Sequence, residues 1–153
     1  MSGHWPERIV VGIDASPEAS IALVRALELG ARAGSTVVAV HAVGLLERAN
    51  YVPHFDLSDM IRRANQTAGC PAELIAAPRS EVGHAPDVLV RVADQVGGDL
   101  IVVGRRGEGQ SWRPLGSTSE AVLDTATVPV LVVTPHDAQL ASARAAEESR
   151  SSP

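Results

Sequence analysis

Short apolar runs rich in Val and Ile, separated by segments with helical spacing, constrain this chain more than any other feature. Arg8-Ile9-Val10-Val11-Gly12-Ile13-Asp14, Thr36 to Val43, Asp99 to Val103 and Val128 to Val133 have the length of strands and little polar interruption, as strands buried on both faces do. Ala72 to Ala77 is expected to be a shorter strand whose lower apolar content suits a sheet edge. Between the first two runs, Ser16-Pro17-Glu18 supplies an N-cap, a proline at the first helical position and an acid in the first turn. Apolar residues at 21, 24, 27 and 29 carry that helix to Gly34. Further on, the pattern predicts a loop from Gly44, a short helix around Leu57 to Gln66 and a turn through Pro78 to Ala85. A helix from Pro86 then runs to Gly97-Gly98, and a last one from about Thr118 to Ala126. This alternation specifies an α/β fold: a single doubly wound, Rossmann-like, parallel five-stranded sheet with right-handed crossovers and order 3-2-1-4-5. Aromatic residues make up only 3% of a chain that is 45% hydrophobic, so Val, Leu, Ile and Ala must fill the core.

In such a sheet, ligands bind outside the carboxyl ends of the strands where the order reverses, here between the first and fourth strands. The first ends on Gly12, Ile13 and Asp14, and the fourth on Val103 and Gly104. Two features far apart in sequence therefore converge on one crevice. After Gly104 comes a glycine-spaced loop, Arg105-Arg106-Gly107-Glu108-Gly109, which continues through Trp112, Arg113 and Pro114 to Gly116-Ser117-Thr118-Ser119. Its glycines permit positive φ and close approach to main-chain N–H groups, and the helix that follows opens with unpaired N–H groups of its own. Together these form an anion seat. Three arginines against one acid in this loop, within a chain of formal net charge −5, point to polyphosphate; a mobile turn between strand and helix is the simpler alternative.

An ionised Asp14 only accepts hydrogen bonds, so beside a nucleotide it suits an exocyclic amine or ribose hydroxyls, and otherwise it caps the turn into the first helix. Gly12 and Ala42 leave room for a flat ring or serve packing alone. Of Ser117, Thr118 and Ser119, one is expected to be the helix N-cap and the others are candidate phosphate contacts.

Other chemistry is poorly supported. All thirteen basic residues are arginine, which removes lysine-based phosphate or Schiff-base chemistry, and no Walker A sequence is present. The acidic balance and the lack of a basic stripe argue against nucleic-acid binding. Cys70 is the sole cysteine, and the five histidines show no metal-ligand spacing, so no metal site is expected. His84 lies where it could approach the mouth of the crevice. No apolar run nears the ~20 residues of a membrane span, and no signal-peptide pattern opens the chain, so no membrane association and a cytoplasmic location are expected. At 153 residues the chain is expected to hold one nucleotide-binding domain over residues 1–136, followed by a disordered or weakly helical tail over 137–153.

The chain resembles the universal stress protein family. The resemblance rests on Val11-Gly12-Ile13-Asp14-Ala15-Ser16, on His41-Ala42-Val43, on Asp99 through Gly104-Arg105-Arg106-Gly107 to Gly116-Ser117-Thr118-Ser119, and on Val128 to Val133. It covers roughly residues 7–134. Members similar in these motifs bind ATP, so the resemblance implies that Asp14 and the backbone near Ala42, with Gly12 and Ile13 beside them, hold adenine and ribose. It implies likewise that Val103, Gly104, Arg105, Gly107, Gly116, Ser117, Thr118 and Ser119 wrap the ribose and phosphates. Mg²⁺ would accompany ATP through phosphate oxygens and water. One departure stands out: eight residues, Glu108 to Leu115, separate Gly107 from Gly116, where the family pattern has nine. The segment between the second and third strands is also short for the family.

The implied function is that of an ATP-binding regulatory protein in a stress response, whose nucleotide orders the loop and alters a surface presented to an unidentified protein partner. Nothing supplies an obvious catalytic base, so at most slow ATP hydrolysis is expected. The alternative is a dimeric interaction protein that does not use nucleotide. Both readings place a homodimer at the fifth strand, where Val130 to Val133 would form an uncharged sheet edge.

Overall fold

The computed structural model describes residues 3–70, 76–107, 114–134 and 150. Five strands, β1 (Arg8–Ile13), β2 (Thr36–Val43), β3 (Ala77–Val82), β4 (Leu100–Gly104) and β5 (Val130–Val133), form one sheet of order β3-β2-β1-β4-β5. Every neighbouring pair is parallel. The register places Val10 between Val38 and Ile101, so the centre of the sheet is a belt of β-branched side chains. α1 (Pro17–Ala33) and α3 (Leu57–Ala68) cover one face, while α4 (Ala85–Val96) and α5 (Ser117–Thr125) cover the other. A four-residue helix, α2 (Leu45–Arg48), follows β2 and was not foreshadowed by any periodicity.

Helix ends follow the expected chemistry. Ser16 caps α1, its Oγ accepting from Ala19 N at 3.2 Å, with Pro17 at the start and Gly34 closing the helix at φ 74°. Gly69 and Gly97 end α3 and α4 in the same left-handed conformation.

Two expectations are corrected. The third strand lies at Ala77–Val82 rather than at Ala72 to Ala77, so the stretch read as a turn from Pro78 is largely strand. An edge strand pairs on one side only, which tolerates Pro78 and charged Arg79 and Glu81, and such a strand shows no apolar run. The last helix starts from Gly116 as N-cap, with no side-chain cap bond, so none of the three hydroxyl residues has that role. β5 begins at Val130, placing Pro129 just ahead of it. The expected tail over 137–153 lies outside the described residues except for residue 150.

Candidate functional site

The carboxyl ends of β1 and β4 part where the strand order reverses, and a narrow cavity of about 70 Å³ opens between them. Gly12, Ile13, Asp14, Ala42, Val103, Gly104, Gly107, Thr118 and Ser119 line it, so nine of the twelve residues singled out from sequence meet there. Arg105, Gly116 and Ser117 do not line it. Arg105 instead stitches the loop to the sheet: its N donates to Val133 O at 2.9 Å and its carbonyl accepts from Gly116 N at 2.8 Å. Gly116 thereby pins the far end of the loop against its beginning. A wider cavity of about 750 Å³ adjoins the first, sharing Ile13, Asp14, Ala42 and Ala85, and is walled mainly by β2's end, α2 and the turn after β3. His84, which caps α4, lies on its lining.

Glycines make the crevice through close approach. A Cβ on Gly12 would stand 2.8 Å from Leu89 Cδ1, and one on Gly104 would stand 3.0 Å from Glu18 Cβ. At Gly107 an added Cβ would lie 2.5 Å from Asp14 Oδ2. None of Gly104, Gly107 and Gly116 has positive φ, so the expectation that these glycines serve turning is corrected to one of clearance.

Asp14 has a local structural role, since its Oδ1 accepts from Ser16 N at 2.8 Å and from Ser16 Oγ. This Asx turn holds the carboxylate across the crevice from Gly107, which makes the capping and ligand roles compatible. Ser119 is buried and its Oγ donates to Gly104 O at 2.6 Å, tying α5 to β4. Thr118 is half-buried on the cavity lining, and the N-cap of α5 is Gly116, which has no side chain to cap the first-turn N–H groups.

Arg106 supplies positive charge. It lines the narrow cavity, its main-chain N–H is held by Glu18 Oε2, and its Nε is buried with no hydrogen-bond partner among the described residues. A buried donor on a permanent cation costs free energy when unpaired. An anion at the N-terminus of α5, where Gly116 offers no side-chain cap, would offset that cost. Sequence reasoning gave Ser16, Glu18, Ala19, Val40, Ala85 and Leu89 no part in ligand binding, and it met Arg106 only as one of three loop arginines. Ser16 and Glu18 are visible in sequence only as helix-start residues, and nothing local ties Glu18 to a loop 88 residues away. Glu108, Trp112, Arg113 and most of the shortened spacing lie outside the described residues.

Behind the wider cavity sits a buried pair. His41 Nε2 meets Glu47 Oε2 at 2.8 Å, and His41 Nδ1 meets Ile13 O at 3.1 Å. Burial pushes the Glu47 carboxyl up, but the Phe55 N–H and His41 outweigh it and hold the group below its ordinary value. Burial, followed by the Glu28 carboxylate, pushes the Cys70 thiol up, away from a reactive thiolate. Among the described residues, no cluster of metal-ligating side chains occurs and no helix is long and apolar enough to cross a membrane.

A sequence model described as "Universal stress protein family" matches residues 6–134. The chain belongs to the universal stress protein family. Among curated members, Rv2005c of Mycobacterium tuberculosis strain H37Rv and Mb2028c of Mycobacterium bovis are each 33% identical over 139 residues. These matches cover 84% of this chain and 45% of each relative, so the chain spans about half the length of the curated relatives it matches. A universal stress protein solved in complex with cAMP is similar with a TM-score of 0.62 at 29% identity, over 87% of this chain and 98% of that one. The fold is shared with UspA of Lactobacillus plantarum at a TM-score of 0.69 and 21% identity, over 86% and 99% of the two chains.

Proposed function

We propose that this universal stress protein is an adenine-nucleotide-binding regulatory protein that takes ATP, with Mg²⁺, across the β1–β4 crevice. The buried Arg106 Nε, without a partner among the described residues, beside the glycine N-cap of α5 carries this reading. Phosphates lie against Arg106, Gly107 and the first turn of α5, where Thr118 offers a hydroxyl, while Ser119 holds that turn onto β4. Asp14 faces the ribose or the adenine amine, and the base enters the wider cavity beside Ala42. That cavity's 750 Å³ lies within the ~300–1,000 Å³ usual for small-molecule sites, whereas the narrow part alone is too small. The similar protein that carries cAMP supports an adenine nucleotide as the ligand class. Mg²⁺ supplies charge neutralisation at the phosphates, bound through their oxygens and water. Binding orders the loop between Gly104 and Gly116 and so changes a surface presented to a protein partner in a stress response. The cytoplasm is the compartment that supplies ATP, and the nucleotide domain comprises residues 1–136. The test is calorimetric titration of nucleotide-free protein with ATP and Mg²⁺, combined with hydrogen exchange. Saturable micromolar binding with slowed exchange between Gly104 and Gly116 is expected. Heat without slowed exchange would sink the loop mechanism, and no heat up to millimolar ATP would sink the nucleotide reading.

The second reading, a dimer that acts without nucleotide, is favoured by one contrast. The β3 edge carries Pro78, Arg79 and Glu81, which discourage strand pairing, whereas β5 presents Val130, Leu131, Val132 and Val133 with Leu131 40% exposed. In either reading we infer a homodimer through antiparallel pairing of two β5 edges about a two-fold axis. Leu131→Arg puts like charges at that contact and is expected to turn a dimer into a monomer in sedimentation at micromolar concentration. A wild-type monomer, or a variant that stays dimeric, removes β5 as the interface.

A further inference from the structure

An acid in the first turn of a helix is ordinarily accounted for by the helix dipole. Glu18 holds that position on α1, directly after Pro17, yet its side chain reaches out of the helix. Its Oε2 accepts from Arg106 N, 88 residues away, although Glu18 lines neither cavity of the site. The bond can form because β4 ends against this turn: a Cβ on Gly104 would stand 3.0 Å from both Glu18 C and Glu18 Cβ. The turn itself is fixed, with Ser16 Oγ accepting from Ala19 N at 3.2 Å and the Pro17 ring locking φ at the first helical position.

One turn of helix therefore holds both sides of the gap in the crevice. On the β1 side, Ser16 N and Ser16 Oγ hold Asp14 Oδ1. On the loop side, Glu18 holds the main chain at Arg106, next to Gly107, whose added Cβ would lie 2.5 Å from Asp14 Oδ2. The loop start has two further main-chain restraints among the described residues, Arg105 N to Val133 O at 2.9 Å and Gly116 N to Arg105 O at 2.8 Å. Both act on Arg105 and neither depends on a side chain. At Arg106 the restraint is the Glu18 carboxylate, and it also fixes what Arg106 offers an anion. With its main-chain N–H already taken, Arg106 contributes its guanidinium, whose Nε is buried without a partner among the described residues. A carboxylate beside a proposed phosphate seat repels the ligand, so charge is not what Glu18 contributes there; its acceptor oxygen is.

Resting on the nucleotide reading, we propose that Glu18 is a positioning residue for the phosphates of an adenine nucleotide. Its acceptor oxygen sets Arg106 and Gly107 at the separation from Asp14 that the ligand crosses, with the first turn of α1 as the common reference for the two sides. Without that bond, Arg106 and Gly107 are free to move away from β1 before the ligand arrives, and binding must then order them. Reach matters as much as the acceptor. Aspartate keeps the charge and the first-turn dipole interaction, but its carboxylate is one methylene short of Arg106 N. Glutamine has the length of glutamate and keeps an acceptor oxygen without the charge.

Three substitutions at this one position separate reach, acceptor and charge. Calorimetry with ATP and Mg²⁺ as the probe, at a temperature where every variant is folded, is expected to show affinity lower by about tenfold in Glu18→Ala and in Glu18→Asp, the loss of one hydrogen bond to a charged group. Glu18→Gln retains the bond and is expected to bind within about threefold of wild type. An acid that served only the stability of α1 would change the melting temperature and leave these affinities alike. Exchange of the Arg106 amide in nucleotide-free protein gives a readout independent of ligand. It is expected to be about tenfold faster in Glu18→Ala and Glu18→Asp than in wild type and Glu18→Gln. Wild-type affinity in Glu18→Asp, or affinity in Glu18→Gln as weak as in Glu18→Ala, would overturn the proposal, and so would equal Arg106 exchange in all four proteins. If ATP binds none of the four, the nucleotide reading fails instead, and the same exchange rates still decide whether Glu18 holds the loop.

Discussion

Gly107→Val is expected to weaken ATP binding about a hundredfold while leaving the melting temperature within a few degrees of wild type. Gly107 is exposed and belongs to no core cluster, so a side chain there removes no packing. The new Cβ would stand 2.5 Å from Asp14 Oδ2, closer than real contacts allow. Asp14 cannot swing aside cheaply because Ser16 N and Ser16 Oγ both hold its other oxygen. The loop must therefore move away from β1, and the crevice widens where ribose and phosphate are proposed to cross. Strain of this kind costs about 1–3 kcal/mol, and loss of phosphate contacts adds about as much. A sum near 2.7 kcal/mol corresponds to roughly a hundredfold. Calorimetry at saturating Mg²⁺ beside a thermal melt checks both halves. Undiminished affinity would mean that the ligand does not cross the gap between Asp14 and Gly107.

Leu27→Ala is expected to do the reverse. Leu27 lies on α1 with 0% exposure, packed in the cluster that joins α1 and α3 to the sheet, and it lines neither cavity of the site. Removing a buried leucine side chain loses its transfer free energy and leaves a void, costing about 2–5 kcal/mol. A melting temperature lower by roughly 10 °C is expected for a domain of this size. ATP affinity measured at low temperature, where the variant is folded, should match wild type within about twofold, because distant sites are energetically independent. A larger affinity loss would show that α1 transmits strain to the crevice. The two variants thus separate a core that holds the sheet from a clearance that holds the ligand.

That separation explains what could be read from the chain and what could not. β1, β2 and β4 lie within the sheet, so each must be apolar on both faces, and such runs are visible locally. α1 and α4 carry their own stop and start signals in Ser16, Pro17, Gly34, Pro86 and Gly97. β3 carries none: its residues Ala-Pro-Arg-Ser-Glu-Val acquire strand geometry from pairing with β2, Val38 opposite Ala77 and Val43 opposite Val82. Local propensity misplaced it for that reason. At the site, the glycines and Asp14 were conspicuous because each is chemically unusual in its setting. Glu18 and Leu89 were overlooked because each is ordinary where it stands and acts only through a neighbour distant in sequence, whereas Arg106 was legible only as one of three loop arginines, not as the one that lines the crevice. Pairing His41 with Glu47, six residues on, needed the turn of α2, which no apolar period foretells.

The sequence by itself determined the alternating α/β chain, its sheet-filling aliphatic core and the glycine-rich segment after β4, because periodicity, capping and turn chemistry are local properties of the chain. Only the tertiary structure decided that Gly107 serves clearance against Asp14, that Arg106 Nε is buried without a partner among the described residues, and that Glu47, the one buried residue of α2, meets His41. Close approach, desolvation and hydrogen-bond satisfaction belong to pairs of groups, and the fold alone brings those pairs together.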